Sequence, residues 1–450
     1  MNLHAMLVER AAAEKPVRVG VIGAGKFGSM YLSQAPRTAG IQILGIADLA
    51  PDSARAALAR VGWPASQYAA SSFDAARNNG QTFITEDAEA LIAAVDVVVD
   101  ATGSPSAGVR HALLACEHGT HIIMVNVEAD VLAGPLLAEK AAAAGIVYSM
   151  AYGDQPALIC EMVDWARSCG FEVVCAGKGT KYLPDYHAST PDTVWGHYGL
   201  NAEQAAEGGM NPQMFNSFLD GTKSGLEMAA VANATGLAAP KSGLTFPACG
   251  VQDLAHILRP RADGGALAEM GTVEVISSEE RDGRHVIGDL RWGVYVTFKA
   301  PSDYVERCFA EYGLMTDDTG SYSAMYKPFH LIGLELGISV ASVALRGEPT
   351  GVVTGWRGDV VATAKRNLNA GEVLDGEGGF TVWGKLMRAE DSLALGGLPI
   401  GLAHNMTLTS PVSAGAPVRW SDVDYDKNDT TVRFRRQMEM SDRRNARAAE

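Results

Sequence analysis

Three glycines, Gly23, Gly25 and Gly28, follow directly on the apolar run Val19-Gly20-Val21-Ile22 and open a helix-like stretch at 29–34. Few structures can turn a buried strand into a helix within so short a space. Gly23 permits the tight turn, Gly25 lets a pyrophosphate approach the backbone, and Gly28 lets the helix pack close to the strand. Lys26 and Phe27 stand at the helix start, where free N–H groups face an anion. The spacing alone is weak; its place between strand and helix makes it a dinucleotide cradle of the Rossmann type.

The remainder of the first third agrees. Apolar runs at 17–22, 43–47, 95–100, 122–126, 146–149 and 173–176 alternate with Ala-rich stretches, predicting a parallel sheet covered on both faces. An insert at 62–80 reads as peripheral and helical. From 177 to 243 Pro, Gly, Tyr, His and Asp cluster, as in functional loops. A helix is expected at 222–236, antiparallel strands at 273–277, 285–288 and 294–299, and a long apolar helix at 327–345. Beyond Gly351, short strand-like segments at 360–365, 379–383, 401–403 and 417–420 predict a small β-rich module. Residues 433–450 read as a frayed tail or solvated helix.

The expected class is therefore α/β, in three domains. These are an N-terminal NAD(P)-binding Rossmann domain at 1–155, a central α+β catalytic and dimerisation domain at 156–350, and a β-rich domain at 351–441, before a tail at 442–450. A length of 450 residues suits that division. The net charge of −15 argues against a nucleic-acid partner, though a few cations can still hold one small anion. Residues 3–15 read as a short amphipathic helix, and no signal peptide or membrane span is expected. Six scattered cysteines form no CxxC pair and read as reduced core residues of a cytoplasmic enzyme.

Asp48 ends the second apolar run where an acid bonds the adenosine ribose, which favours NAD; Arg55, shortly after, could meet a 2′-phosphate. Thr102 and Gly103, in a small-residue loop after Asp100, and Asn126 at the next strand end complete the cofactor candidates. Asp154 precedes Pro156 and either caps a helix or touches substrate. Lys178 and Lys181 flank Gly179 and Thr180 at a strand end and could bind phosphate or carboxylate. Lys223 begins a helix of small residues, a setting that lowers a lysine's pKa and suits proton transfer to substrate oxygen, or else it is simply an exposed first-turn lysine. Lys327 and His330, one helical turn apart, and Asn216 are further substrate candidates. Asp185, His187, Asp192 and His197 match no metal motif, and no metal is named.

With these stretches in place the chain resembles the homoserine dehydrogenase-like oxidoreductases, in the branch called 1-deoxy-D-xylulose 5-phosphate reductoisomerase-like. The carrying segments are VGVIGAGKFGSMYLSQ, VVVDATGSP, VNVEADVLAGPLLA, YGDQPALICEMVDWAR, GKGTKYLP and DGTKSGLEMAAVANATGL. AKRNLNAGEVLDGEGGFTVWGKL, with LPIGLAHN and APVRWSDVD, is similar to a SAF domain, a compact β-clip. The resemblance implies a homodimer, NADP(H) with NAD(H) as the alternative, and conversion of 1-deoxy-D-xylulose 5-phosphate to 2-C-methyl-D-erythritol 4-phosphate, a step of isoprenoid precursor synthesis. Two alternatives stay open: an NAD(P)-dependent dehydrogenase of a hydroxy or amino acid, and a non-catalytic sugar or redox sensor. On the first two readings the substrate is small and phosphorylated or carboxylated.

Overall fold

The computed structural model describes residues 2–207 and 210–449, the side chains of 206–207 and 443–449 excepted. The chain divides into two compact units, Met1–Leu158 with His330–Thr354, and Ile159–Phe329 with Gly355–Glu450.

The first unit is built on six strands: β1 (Val17–Ile22), β2 (Ile41–Ala47), β3 (Phe83–Thr85), β4 (Val97–Asp100), β5 (His121–Met124) and β6 (Tyr148–Met150). They lie in the order β3-β2-β1-β4-β5-β6, all parallel. This is the dinucleotide-binding order expected from the glycine turn. All of β4 and most of β1 and β2 are buried, which is why they read as continuous apolar runs rather than alternating ones. The chain returns to this unit late: Leu336, Val340 and Val343, in and just before the helix Gly337–Arg346, join the core of Val19, Val21, Val97 and Val99. The helix Leu3–Ala12 buries Leu3 and Leu7 against Ala341.

That return corrects the helix expected at 327–345. Tyr322-Ser323-Ala324-Met325-Tyr326-Lys327 forms a strand instead, and the helix begins only at Gly337. Lys327 and His330 therefore do not share a helical turn. Likewise, the run at 173–176 does not extend the first sheet. It lies within β7 (Glu172–Thr180), which with β8 (Thr272–Ser277), β9 (Val294–Lys299) and β10 (Tyr322–Lys327) forms a mixed sheet ordered β10-β9-β7-β8. β7 and β8 are parallel; the other neighbours are antiparallel. Residues 285–288 form no strand; Glu279↔His285 is an isolated bridge.

After Gly355 the strands are β11 (Gly358–Ala364), β12 (Val373–Asp375), β13 (Val382–Arg388), β14 (His404–Leu408) and β15 (Val423–Asp424), in two small antiparallel sheets. The runs at 401–403 and 417–420 are turns and bridges rather than strands. The helix Thr430–Ala449 is not a frayed tail over its described side chains. Arg435 is fully buried and donates to both oxygens of Asp359, at 3.1 and 2.6 Å, and to Glu439 at 2.9 Å. Side chains of the expected tail from 443 onward lie outside the described residues. Of the six cysteines, only Cys175 and Cys249 are buried; burial raises both thiols, that of Cys249 to about 12.

One polar group sits uneasily in the first core. Asp130 is buried, bonded to the Tyr148 hydroxyl at 2.8 Å, and its Oδ2 has no hydrogen-bond partner among the described residues. Burial pushes its carboxyl up to about 6, against the lowering effect of the tyrosine bond. A raised native pKa stabilises the fold below the ordinary value of 3.8, and that contribution is lost as pH rises through about 6. Asp130→Asn keeps the acceptor for Tyr148 without the charge. It is expected to stabilise the protein by roughly 1–3 kcal/mol at pH 8 and to change little near pH 4. Urea unfolding at the two pH values tests this; a variant destabilised at pH 8 would refute it.

Candidate functional site

In the first unit, the glycine turn has the geometry its spacing requires. Gly23 has φ +92°, and a Cβ there would meet the Ala101 carbonyl oxygen at 2.9 Å. A Cβ on Gly28 would lie 2.3 Å from the Gly23 oxygen, so helix Lys26–Gln34 packs on the turn as closely as backbone allows. At Gly25 a Cβ would meet nothing within 4 Å. Gly25 caps the helix with no side chain, leaving its first N–H groups to a ligand. Lys26 is exposed beside it, and Phe27 packs on the core. This open cradle fits a dinucleotide pyrophosphate.

Asp48 belongs to the same cradle. Its Oδ2 accepts from Ala24 N–H at 2.8 Å and its Oδ1 from Ala50 N–H at 2.9 Å. A route to NADP(H) with Asp48 turned away and Arg55 on the 2′-phosphate is therefore not the arrangement present. Asp48 is held against the loop, and Arg55 pairs with Asp52 at 3.1 Å. Thr102, Gly103 and Asn126 form a second loop, organised by Asp100. Asp100 Oδ1 accepts from Thr102 N–H at 2.9 Å and Thr102 Oγ1 at 2.6 Å, while Oδ2 lies 2.6 Å from His111 Nδ1. Asn126 Nδ2 donates to Thr102 Oγ1 at 3.2 Å and the Ser104 carbonyl at 2.7 Å. These side chains hold the loop, and above Gly103 a Cβ would meet nothing within 4 Å. The sequence showed Asp100 as a strand end; its organising role needed the loop's fold.

Asp154 accepts from Gln155 N–H at 2.9 Å, at the start of the helix Gln155–Ser168. Asp154 thus takes up the first N–H of that helix. A Cβ on the preceding Gly153, at φ +93°, would lie 2.8 Å from the Leu331 carbonyl oxygen. His330, beside that stretch, is half-buried.

In the second unit, the lysines are paired. Lys178 lies buried within β7 and bonds Glu227, also buried. Lys181 meets Glu279 at 2.8 Å, and Glu279 also accepts from the Tyr186 hydroxyl at 2.8 Å. Lys365, buried, bonds Asp220 at 2.8 Å and the carbonyls of Ser189 and Gly379 at 2.7 Å each. Burial raises the Asp220 carboxyl, and Lys365 opposes that rise. Lys327 closes β10 and lies 5.6 Å from the Phe329 ring centre. The Asn216 amide is engaged by Ser189 and the Gly378 carbonyl, at 2.7, 3.1 and 2.9 Å, which is a structural role.

Lys223 is half-buried in the first turn of the helix Thr222–Thr235. Glu227 stands one turn further, on the same helix face. The sequence reading missed Glu227, Glu279 and Lys365; only Glu227 left a signal, its four-residue spacing from Lys223. Next to this helix start, His187 donates from Nδ1 to the Asp220 carbonyl at 2.7 Å, so Nε2 accepts from the Tyr182 hydroxyl at 3.0 Å. Burial lowers the His187 pKa, which keeps the ring neutral. Its ring stacks on Trp383 at 3.8 Å, and Tyr182 stacks on Phe246 at 3.9 Å. A cavity of about 230 Å³ opens here, lined by His187, Gly221, Ser242, Trp383 and Lys385 among others. Asp185, His187, Asp192 and His197 do not converge; among the described residues no three His, Cys, Asp or Glu side chains are grouped to hold a metal. Nor is any described helix long and apolar enough to cross a membrane.

Two family models match separate stretches of the chain. The NAD-binding domain of homoserine dehydrogenase matches residues 19–149, and the catalytic domain of oxidoreductase DRL matches residues 153–336. The chain accordingly carries an NAD-binding domain followed by an oxidoreductase catalytic domain. No curated protein matches it. Similar solved structures include UDP-N-acetylglucosamine 3-dehydrogenase from Acidithiobacillus ferrooxidans, at 18% identity over 37% of this chain and 48% of that one, with TM-score 0.25. They include myo-inositol dehydrogenase from Lactobacillus casei, in complex with NAD(H) and myo-inositol, at 14% identity over 40% and 50%, TM-score 0.28. A probable dehydrogenase from Thermotoga maritima is 14% identical over 74% of this chain and 90% of that one, TM-score 0.37. The chain spans about half the length of the first two. At these scores the likenesses assign neither substrate nor reaction.

Proposed function

We propose that the chain reduces a carbonyl of a small phosphosugar, converting 1-deoxy-D-xylulose 5-phosphate to 2-C-methyl-D-erythritol 4-phosphate. The observation that carries this reading is the DRL catalytic match over 153–336, directly after the dinucleotide-binding match. When bound, the nicotinamide supplies the hydride. The chain's own part is to hold the substrate and manage its protons. Lys223 donates the proton to the oxygen that becomes a hydroxyl.

The test is NAD(P)H oxidation by the full chain with 1-deoxy-D-xylulose 5-phosphate, with product identified by mass and NMR. Formation of the branched tetrol phosphate supports the proposal. NAD(P)H oxidation only with semialdehydes, or NAD(P)+ reduction by hydroxy or amino acids, would establish the second reading, a dehydrogenase of that class. Lys178 and Lys181, expected to bind phosphate or carboxylate, are each already neutralised by a carboxylate, so on either reading the substrate's anionic group needs other partners.

For the cofactor, Asp48 favours NAD(H). Each of its oxygens has a lone pair left for a ribose hydroxyl, whereas a 2′-phosphate would sit against a carboxylate. A repulsion of about 4 kcal/mol per charge pair applies at contact near a protein surface. Catalytic efficiency is expected to be at least about tenfold higher with NADH than with NADPH. Asp48→Ser should narrow or reverse that ratio; an enzyme that prefers NADPH would show that Asp48 does not set the choice.

A further inference from the structure

At the opposite end of the first sheet from the glycine turn lies a cleft of about 730 Å³. Its volume falls within the range of small-molecule sites. Four cations line it, Arg10, Lys15, Arg18 and Arg77, against two carboxylates, Glu14 and Asp96. This is a basic recess in a chain of net charge −15.

The charges are not equally committed. Arg18 is bound to Asp96 through its backbone N–H at 2.8 Å and its guanidinium at 2.7 and 3.2 Å. Arg77 pairs with Asp74 at 2.8 Å. Arg10 and Lys15 make no ion pair among the described residues, and the Nε of Arg10 is buried with no hydrogen-bond partner there. A buried donor left unsatisfied is destabilising. Glu14, between these two cations in sequence, has φ +53°, a left-handed backbone rarely adopted by a non-glycine residue. Such strain gathers where a site constrains the chain. Arg10 and Arg77 also stand in the last turns of helices and offset the negative helix ends there. That role explains neither Lys15, beyond the helix, nor the recess itself. The apolar part of the lining is Pro16, Pro36, Ile41 and Trp63, whose indole N–H is fixed on the Leu32 carbonyl at 2.8 Å; Gln42, Gln67 and Thr82 add uncharged polar groups.

We propose that this cleft is a second ligand site, for a small organic phosphate: its anionic group on Arg10 and Lys15, its apolar body against Trp63 and the prolines. Charge-assisted bonds from the Arg10 guanidinium and the Lys15 ammonium would hold the phosphate. The site is separate from the dinucleotide cradle and does not depend on the substrate proposed above.

The test is calorimetric titration of phenyl phosphate into the full chain saturated with NADH, with inorganic phosphate in parallel. Phenyl phosphate is expected to bind at least about tenfold more tightly than inorganic phosphate, and Arg10→Gln with Lys15→Gln to weaken it by about tenfold or more. NADH affinity of that double variant should be unchanged, which also reports that it is folded. Phenyl phosphate binding should persist in Gly25→Val. The proposal is overturned if phenyl phosphate does not bind at about 10 mM, a level weaker than ordinary specific affinities. It is equally overturned if the double variant binds it as well as the parent, or if Gly25→Val abolishes binding.

Discussion

Gly25→Val is expected to lower dinucleotide affinity at least about a hundredfold, a loss of about 2.7 kcal/mol or more, while leaving the protein folded. The two halves of that expectation rest on one observation. A Cβ at Gly25 would meet no protein atom within 4 Å, and its φ of −67° is ordinary for any residue, so the fold accommodates the valine. The space that it fills is the space offered to the pyrophosphate. Gly28→Ala is the informative contrast: its Cβ would lie 2.3 Å from the Gly23 oxygen, which forces helix and turn apart. There the expected effect is on folding, a destabilisation of roughly 1–3 kcal/mol. Fluorescence titration with NADH and thermal unfolding of both variants check the pair. Unchanged NADH affinity in Gly25→Val would remove the cofactor from this loop.

The difference between those glycines was legible in the sequence, because each depends on its own strand–turn–helix neighbourhood. The parallel sheet was legible for the same reason: β1, β2 and β4 are buried on both faces and carry almost no polar residue. What could not be read was pairing at a distance. Lys178 and Lys181 looked like two open cations at a strand end, yet their partners, Glu227 and Glu279, lie far along the chain. Arg435 looked like one of many solvated charges until the fold set it on Asp359. A buried charge must find a counter-charge, and local pattern does not say which. The segment at 322–327 failed for another reason. The apolar residues at 327–345 suggested one continuous helix, but Lys327 closes a strand, and Pro328 and Gly333 (φ +76°) interrupt the run before the helix begins at Gly337.

Lys223 gives the prediction with the clearest catalytic readout. Reduction of a carbonyl places negative charge on oxygen, and a positioned acid lowers that barrier. Lys178 and Lys365 are buried in ion pairs, and Lys178→Met would strand Glu227 without its counter-charge. That should cost about 3–5 kcal/mol of stability, a structural loss. Lys223 is half-buried, in a helix start whose neighbours Thr222, Ser224 and Gly225 are buried and small. Gly225 lies so close to β13 that a Cβ there would be 3.0 Å from the Gly384 oxygen, which fixes the helix start in place. Lys223→Ala is expected to lower kcat by roughly 10²-fold or more, the usual scale for an acid–base group. KM should change little, because the lost interaction is made in the transition state. Lys223→Arg sharpens the test: it keeps the positive charge but does not release a proton near neutral pH. A proton donor leaves the arginine variant nearly as slow as the alanine one. If arginine restores turnover, or if alanine raises KM and spares kcat, Lys223 binds an anionic group of the substrate and the proton comes from another residue.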